Sequence, residues 1–325
     1  MKKLLLIGAK KNYNAEYFYF KAFNLLGYDV FQLNSYENVK HPLFSRLLHT
    51  RTLILNQDFL LDRFKINKNI FETIKTFDPD FILIFKGEFI SNRTLKKLSE
   101  SYKIYLFYPD TYRFKPLLKN RLYYFEAIFT AANKKEFYYK LGAKRVVTVP
   151  WACDPDFHRK TEVKKIYEVS FIGTAYNERK KILNNIKDAY VFGDFWDKKL
   201  YIFKNFKTNK KVFPPVFGED YVRVINQSKI NLNIHARSDV IADAPNMRTF
   251  EVSGCGAFQL VNYVQSLNEY FPFIPKYKNI NELKELIEYY LNNETEREEI
   301  AIKAQERCYK FYKYVDAAKR IISNL

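Results

Sequence analysis

Residues 246–256 read NMRTFEVSGCG, and the apolar run AFQLV follows at 257–261. A polar start, a Gly-containing end and a short apolar run predict a helix that leads into a buried strand. Arg248 and Glu251 then lie near the N-terminus of the helix, at the carboxyl edge of a sheet, where open α/β sheets bind nucleotides. An Arg there can hold a diphosphate, and a carboxylate can accept hydrogen bonds from both hydroxyls of a ribose. The alternative is a helix with a purely structural role.

Strands and helices alternate on both sides of this segment. The first half opens with an apolar strand at 2–8, a helix at 15–26 and a second strand at 28–33, which is the start of a doubly wound parallel sheet. Polar, charged sequence at 154–165 predicts a linker, and an apolar strand at 168–173 restarts the alternation. The chain is therefore predicted to be an α/β protein with two domains.

The composition is that of a globular protein. The 325 residues are 47% hydrophobic and 28% charged, and no apolar run is long enough to span a membrane. The start, MKKLLLIGAK, has too short an apolar run for a signal peptide and suits a first strand better. The cysteines Cys153, Cys255 and Cys308 are odd in number and far apart in sequence. They indicate neither a zinc pair nor a disulfide framework, which favours a reducing cytosol.

The net charge of +18 favours an anionic partner. Nucleic acid, an anionic membrane surface and a phosphorylated acceptor all fit, and so does a compositional bias toward lysine without any such partner. Binding to nucleic acid is disfavoured because the basic residues are spread along both halves and no reader motif is present. An NAD-dependent oxidoreductase is disfavoured because the first turn after a strand, GAKKNYN at 8–14, lacks the G-x-G-x-x-G spacing.

Five segments resemble the GT-B glycosyltransferases, and more narrowly the spore-maturation CgeB-like branch of the group 1 glycosyltransferases. One is a linker before the second half, and the others cover the second half. They are VPWACDPDFH (149–158), VSFIGTAYNERKKIL (169–183), YVFGDFW (190–196), INQSKINLNIH (225–235) and NMRTFEVSGCGAFQLV (246–261).

The resemblance implies two Rossmann-like domains facing across a cleft. We expect an acceptor-binding domain at 1–155, a nucleotide-sugar-binding domain at 156–312, and a helix at 313–325 that packs back on the first domain. Group 1 members usually carry two carboxylates eight positions apart in the late motif. Glu251 aligns with the ribose-binding carboxylate, whereas the residue eight positions later is Gln259. Asp243, eight positions before Glu251, is a candidate for the other carboxylate.

The implied function is transfer of a sugar, of hexosyl type, from a nucleoside-diphosphate sugar to a glycan, a lipid-linked molecule or a protein. We expect a cytoplasmic enzyme, with possible peripheral contact at the inner face of an anionic membrane. Neither a cofactor nor a metal is expected, because the donor half has no D-x-D and the chain has no His/Cys cluster. A GT-B relative that isomerises sugar nucleotides is an alternative that the sequence does not separate from a transferase.

The donor-side candidates follow predicted strands or begin predicted helices. Gly173 and Thr174 offer backbone amides to phosphate, although an ordinary turn is an equal alternative. Arg248 is the leading diphosphate ligand and stabilises the leaving group. The remaining donor-binding candidates, for which packing roles are the alternative, are Arg179 as a second cation, Gly193 and Trp196 at the base, His235 and Asn246 at the sugar or phosphate, and Glu251 at the ribose.

The acceptor-side candidates follow strands of the first half. An inverting transferase needs a base on the acceptor hydroxyl, whereas a retaining one does not require it. Glu88, after the strand FILIF at 81–85, and Asp110, after KIYLFY at 103–108, are best placed for this role. A simple Pro-Asp turn is the alternative for Asp110.

Overall fold

The computed structural model describes residues 1–36, 61, 67–111, 118–194, 196 and 210–325. The chain forms two compact units. The first contains Met1–Pro150 and Tyr314–Leu325, and the second contains Trp151–Lys313.

The first unit is built on a parallel sheet of order β2-β1-β3-β4-β5-β6. Its inner strands are buried over nearly their whole length, as in FILIF at 81–85, because helices cover both faces of such sheets. The strands are β1 (Lys3–Gly8), β2 (Asp29–Asn34), β3 (Phe81–Phe85), β4 (Lys103–Phe107), β5 (Ala127–Thr130) and β6 (Val146–Thr148). The described helices are α1 (Ala15–Leu25), α2 (Lys68–Phe77), α3 (Asn92–Ser101) and α4 (Glu136–Lys140).

The second unit is a parallel sheet of order β12-β11-β10-β7-β8-β9. Its strands are β7 (Tyr167–Ile172), β8 (Ala189–Phe192), β9 (Lys211–Phe213), β10 (Ser228–Asn233), β11 (Gln259–Asn262) and β12 (Lys276–Tyr277). The described helices are α5 (Asn177–Asn184), α6 (Gly218–Asn226), α7 (Arg237–Ala242), α8 (Met247–Gly254), α9 (Leu267–Tyr270), α10 (Ile280–Asn292) and α11 (Glu294–Phe311). The decisive stretch of the sequence is α8, which leads into β11 as predicted.

Each sheet changes direction at one point. In the second unit the chain builds outward from β7 through β8 to β9, then returns to β10 on the other side of β7. In the first unit the corresponding reversal lies between β1 and β3. Ligands of open α/β sheets bind outside the carboxyl ends of the strands at such points. The fold therefore marks the ends of β7 and β10, and of β1 and β3, as candidate sites.

The C-terminal helix α12 (Tyr314–Ile322) belongs to the first unit and packs on α1. The Tyr314 ring lies 5.1 Å from that of Phe18 and 5.1 Å from that of Tyr19, between ring centroids. This return of the chain is the one that the resemblance implied.

The segment after Pro150 packs on the second unit, so the unit boundary precedes residue 155. The backbone N–H of Cys153 donates to the carbonyl of Tyr312 at 2.9 Å. Beneath this contact, the Sγ atoms of Cys153 and Cys308 lie 3.2 Å apart, although the two residues are distant in sequence. All three cysteines are buried free thiols.

Candidate functional site

Asn246 fixes the start of α8. Its Oδ1 accepts the backbone N–H of Thr249 at 3.1 Å, which caps the helix, and its Nδ2 donates to Oδ1 of Asn233 at 2.7 Å. Asn233 ends β10, so the first turn of the helix is tied to the end of that strand. Both ends of the Asn246 amide are thus engaged in positioning the helix.

A buried polar network continues beneath α8. Asn233 donates to Oγ1 of Thr249 and to Oε1 of Gln259, at 2.9 and 3.1 Å. Gln259 in turn donates to the carbonyl of Thr249 at 2.8 Å. Gln259 therefore joins β11 to the helix. Asp243, the other residue considered for a second carboxylate, accepts the backbone N–H of Ser266 at 2.8 Å.

Arg248 lies in the first turn of α8 and is half-buried. Its Nε is buried without a hydrogen-bond partner, and within the described part of the chain its guanidinium forms no ion pair. Its charge acts on Glu251, Tyr221 and His235, whose pKa values it helps to lower. A buried guanidinium nitrogen without a partner is costly unless an anion satisfies it. The Arg248 guanidinium therefore retains a hydrogen-bond donor that an anion could satisfy.

Glu251 is a buried carboxylate one turn further along α8, with 5% of its surface exposed. Its Oε2 accepts the Tyr221 hydroxyl at 2.6 Å, and its Oε1 lies 3.5 Å from Nε2 of His158. Burial raises the pKa of Glu251, but these hydrogen bonds and the Arg248 charge outweigh it, so the pKa lies below its usual range. The carboxylate is therefore ionised and can accept further hydrogen bonds.

Gly254 allows the linker to reach Glu251. A Cβ at this position would lie 2.7 Å from Cβ of Cys153 and 3.1 Å from Cβ of His158. Only a glycine lets the segment 153–158 approach α8 this closely. Gly254 therefore helps to position His158 beside Glu251.

The glycines after β7 and β8 shape a tight turn. The N–H of Gly173 donates to the carbonyl of Phe192 at 2.7 Å, and that of Gly193 donates to Phe213 at 3.2 Å. A Cβ on Gly193 would lie 2.1 Å from the carbonyl oxygen of Gly173. Both glycine amides are used by the sheet, so Gly173 offers no amide to the predicted phosphate cradle and the glycines instead permit close approach of strand ends. The other half of that cradle, the amide of Thr174, stays a prediction.

Arg179 and Trp196 support the same turn. Arg179 is buried and donates to the carbonyl oxygens of Thr174 and Ile234, at 3.0 Å for Nη1 and 2.9 Å for Nη2. It thereby joins the end of β7 to that of β10. Trp196 is 2% exposed, and its Nε1 donates to the carbonyl of Gly173 at 2.8 Å. Neither side chain presents a free face, which corrects the prediction of a second cation and a base-stacking wall.

His235 is a buried, neutral structural residue. It is 3% exposed, and Asn262 Oδ1 accepts both its backbone N–H, at 2.7 Å, and its ring Nδ1, at 2.9 Å. Burial, with the charges of Arg179 and Arg248, lowers the pKa of His235 to about 4. The prediction that His235 contacts the sugar or phosphate of the donor is therefore corrected to a structural role.

We expect the free energy of unfolding to fall as the pH is lowered from 7 to 5. The unfolded chain binds a proton near pH 6.5, whereas folded His235 does so only near its pKa of about 4. The unfolded state is therefore favoured increasingly below pH 6.5, by about 2 kcal/mol between pH 7 and pH 5. Urea unfolding at several pH values measures this. His235→Gln should show a flatter dependence than the wild type, and an equal slope would contradict the assignment.

Glu88 and Asp110 lie together at the ends of β3 and β4, around Lys86. Asp110 Oδ2 is 3.2 Å from Nζ of Lys86, and Glu88 Oε2 accepts the hydroxyl of Tyr36 at 3.2 Å. Burial lowers the pKa of Lys86, but Asp110 and Glu88 raise it more, so its net pKa lies above the usual lysine value. The two carboxylates share a cation rather than repelling each other.

Two further groups complete this cluster. Glu16, at the start of α1, is buried, and its Oε1 accepts the N–H of Ala9 at 3.4 Å. Its pKa is raised mainly by burial. The Tyr108 hydroxyl is buried without a hydrogen-bond partner in the described chain, and Asp110 and Glu88 add to the effect of burial in raising its pKa. The cluster lies at the reversal between β1 and β3.

Sequence reasoning missed Glu16, His158 and Tyr221 as site residues. Each reaches its site through tertiary packing. The segment VPWACDPDFH at 149–158 contained His158, but its spacing carries no sign of a contact with α8.

Two general features concern ligands and membranes. Across the described ranges, no group of three or more His, Cys, Asp or Glu side chains is arranged as a metal site. None of the helices in the described part combines the length and apolar character needed to cross a membrane.

Part of the chain is similar to a known family of proteins. Residues 171–323 match the sequence model of a glycosyl transferase-like family. The chain is 25% identical to the spore protein CgeB of Bacillus subtilis (strain 168) over 251 residues, which cover 70% of this chain and 77% of CgeB.

Solved structures share the fold over nearly the whole chain. HepE from Anabaena, solved in complex with UDP-glucose, superposes with a TM-score of 0.67 at 12% identity, covering 99% of each chain. Sucrose-phosphate synthase from Thermosynechococcus elongatus superposes with a TM-score of 0.65 at 10% identity, covering 99% of this chain and 98% of the other. The two parallel sheets are those of the GT-B fold. The chain therefore has the GT-B fold of these proteins, and its residues 171–323 are similar to the glycosyl transferase-like family.

Proposed function

We propose that the enzyme transfers a sugar from a nucleoside-diphosphate sugar to an acceptor hydroxyl, with the donor nucleotide bound at α8. One observation carries this proposal: the buried, unpartnered Nε of Arg248 lies on the same helix as the ionised Glu251. A diphosphate satisfies the guanidinium, and a ribose supplies hydroxyl donors to the carboxylate.

Two solved structures of similar fold support a choice of donor to test. HepE was solved with UDP-glucose, and an α-glucosyltransferase with a TM-score of 0.64 was solved with UDP-glucose and DNA. Both are similar to this chain in fold, so a uridine diphosphate sugar is the first donor to test.

We propose a reaction without a metal ion. Arg248 provides positive charge where the leaving diphosphate accumulates negative charge, which is the task that a metal performs in other transferases. Activity that persists in excess EDTA supports this proposal, and activity restored only by added Mg²⁺ or Mn²⁺ contradicts it.

The acceptor side is proposed to be the Lys86 cluster of the first unit. Glu88 and Asp110 provide carboxylates at a sheet reversal, where one of them can take the proton of an acceptor hydroxyl. The acceptor is a glycan, a lipid-linked molecule or a protein. The charge of +18 also favours peripheral contact with an anionic membrane surface.

Glu88→Gln and Asp110→Asn are expected to lower sugar transfer at least tenfold, because each removes a base or the charge that positions Lys86. Their affinity for the donor nucleotide should stay close to that of the wild type, since these residues belong to the first unit. Transfer to a screened acceptor and calorimetric titration with UDP measure the two effects. Weakened UDP binding in both variants would place them outside the acceptor role.

The proposed function is tested by thermal-shift measurements against UDP, GDP, ADP, CMP and dTDP, with NAD and a short oligonucleotide as controls. Stabilisation by one nucleoside diphosphate establishes the donor site and identifies its base. Stabilisation by the oligonucleotide alone, with none from any nucleotide, would overturn the proposal.

A further inference from the structure

The Glu251 carboxylate is held at both oxygens by two different elements of the second unit. The Tyr221 hydroxyl, from α6, donates to Oε2 at 2.6 Å. Nε2 of His158, from the linker segment, lies 3.5 Å from Oε1. Each oxygen thus has one protein donor.

Neighbouring residues fix the orientation of the His158 ring, which donates a hydrogen bond to Glu251. Its Nδ1 accepts the backbone N–H of Asp154 at 3.0 Å, so the proton of the imidazole is on Nε2, facing Glu251. The carbonyl of His158 accepts the Tyr309 hydroxyl at 2.9 Å, and Gly254 permits the close approach of the segment to α8. The ring is therefore held with Nε2–H directed at the carboxylate.

The remaining capacity of Glu251 matches a vicinal diol. An ionised carboxylate has about four lone-pair sites. With one site on each oxygen occupied by protein, one on each remains. A ribose offers two neighbouring hydroxyls, at C2′ and C3′, and each can donate to one oxygen.

We propose that Tyr221 and His158 act as positioning residues that make Glu251 selective for ribonucleotide donors over 2′-deoxyribonucleotide donors. The inference rests on the proposed function, in which Glu251 accepts the ribose hydroxyls. A 2′-deoxyribose leaves one oxygen of a buried charge short of a donor, and such unpaired groups give strong discrimination. Without the contacts from Tyr221 and His158, the Glu251 carboxylate can rotate. The single 3′-hydroxyl of a deoxyribose can then satisfy it.

The experiment compares the dissociation constants of UDP and 2′-deoxy-UDP, and of GDP and 2′-deoxy-GDP, by calorimetry. The wild type is expected to bind the ribonucleotide at least about 30-fold more tightly than its deoxy counterpart. Tyr221→Phe should reduce this ratio to within about threefold, because the released carboxylate can rotate and accept the single 3′-hydroxyl of the deoxyribose. The matched control is Tyr289→Phe, which removes a Tyr–Glu hydrogen bond of 2.7 Å from the exposed Tyr289 to Glu296 in the same unit. Its ratio should equal that of the wild type.

His158→Leu gives a second, independent measurement if Tyr221→Phe does not fold, and it should also reduce the ratio. A purely structural role weakens both nucleotides equally and leaves the ratio unchanged, which would overturn the inference. Equal binding of both sugars by the wild type would also overturn it. Absence of any nucleotide binding by the wild type would instead contradict the proposed function itself.

Discussion

Glu251→Ala is expected to weaken binding of the donor nucleoside diphosphate by about 100-fold or more, since each hydrogen bond to a charged group contributes roughly 1.5–3 kcal/mol and two are lost. Glu251 is ionised within a buried environment, so no water molecule fully replaces the interaction. Calorimetric titration of the folded variant with UDP, or with the nucleotide that stabilises the wild type most, measures the loss.

The variant also leaves Tyr221 and His158 without their acceptor, so its stability must be measured separately. Glu251→Gln keeps the side-chain volume and one acceptor oxygen while removing the charge, and it should retain more of the fold than the Ala variant. The control Glu296→Ala removes the partner of the exposed Tyr289 in the same unit. Nucleotide affinity that is unchanged in both Glu251 variants would remove this residue from the ribose site.

The fold could be predicted from the sequence because its signals are local. Apolar strands that alternate with amphipathic helices fix the α/β class, and the capping residue Asn246 and the closing Gly254 mark the ends of α8. The polar, charged sequence at 154–165 predicts a linker, whereas the first unit ends at Pro150 and Cys153 already packs on the chain near Tyr312.

The site was predicted only in part, because contacts between distant segments decide what each side chain can do. Arg248 carries an unsatisfied buried nitrogen, and its role as a diphosphate ligand stays a prediction. Arg179 has the same charge, but its guanidinium donates hydrogen bonds to the carbonyl oxygens at two strand ends. Nothing in the local sequence separates these two arginines.

The same reason explains the glycines and the missed residues. The amide of Gly173 is taken by Phe192 because β7 and β8 are neighbours, which depends on strand order. Tyr221 contacts Glu251 from 30 positions away in sequence. Periodicity places both residues on helices but does not bring the helices together.

Arg248→Ala is expected to lower the turnover number for donor cleavage by about 100- to 1000-fold, with a much smaller change in KM. Negative charge on the leaving diphosphate increases as the glycosidic bond breaks, so a cation at this position stabilises the transition state more than the bound donor. Donor hydrolysis without acceptor, measured at saturating UDP-sugar, separates the turnover number from KM.

Arg248→Lys should recover part of the loss, because it restores the charge but not the planar pair of donors that matches phosphate oxygens. Arg223→Ala is the matched control, since Arg223 lies on α6 of the same unit and pairs with the exposed Asp220. If the Arg248→Ala variant turns over the donor as fast as the Arg223→Ala variant, another group stabilises the leaving diphosphate. The unsatisfied Nε of Arg248 then has no part in that step. If its KM rises while the turnover number stays constant, Arg248 binds donor and transition state equally and contributes affinity alone.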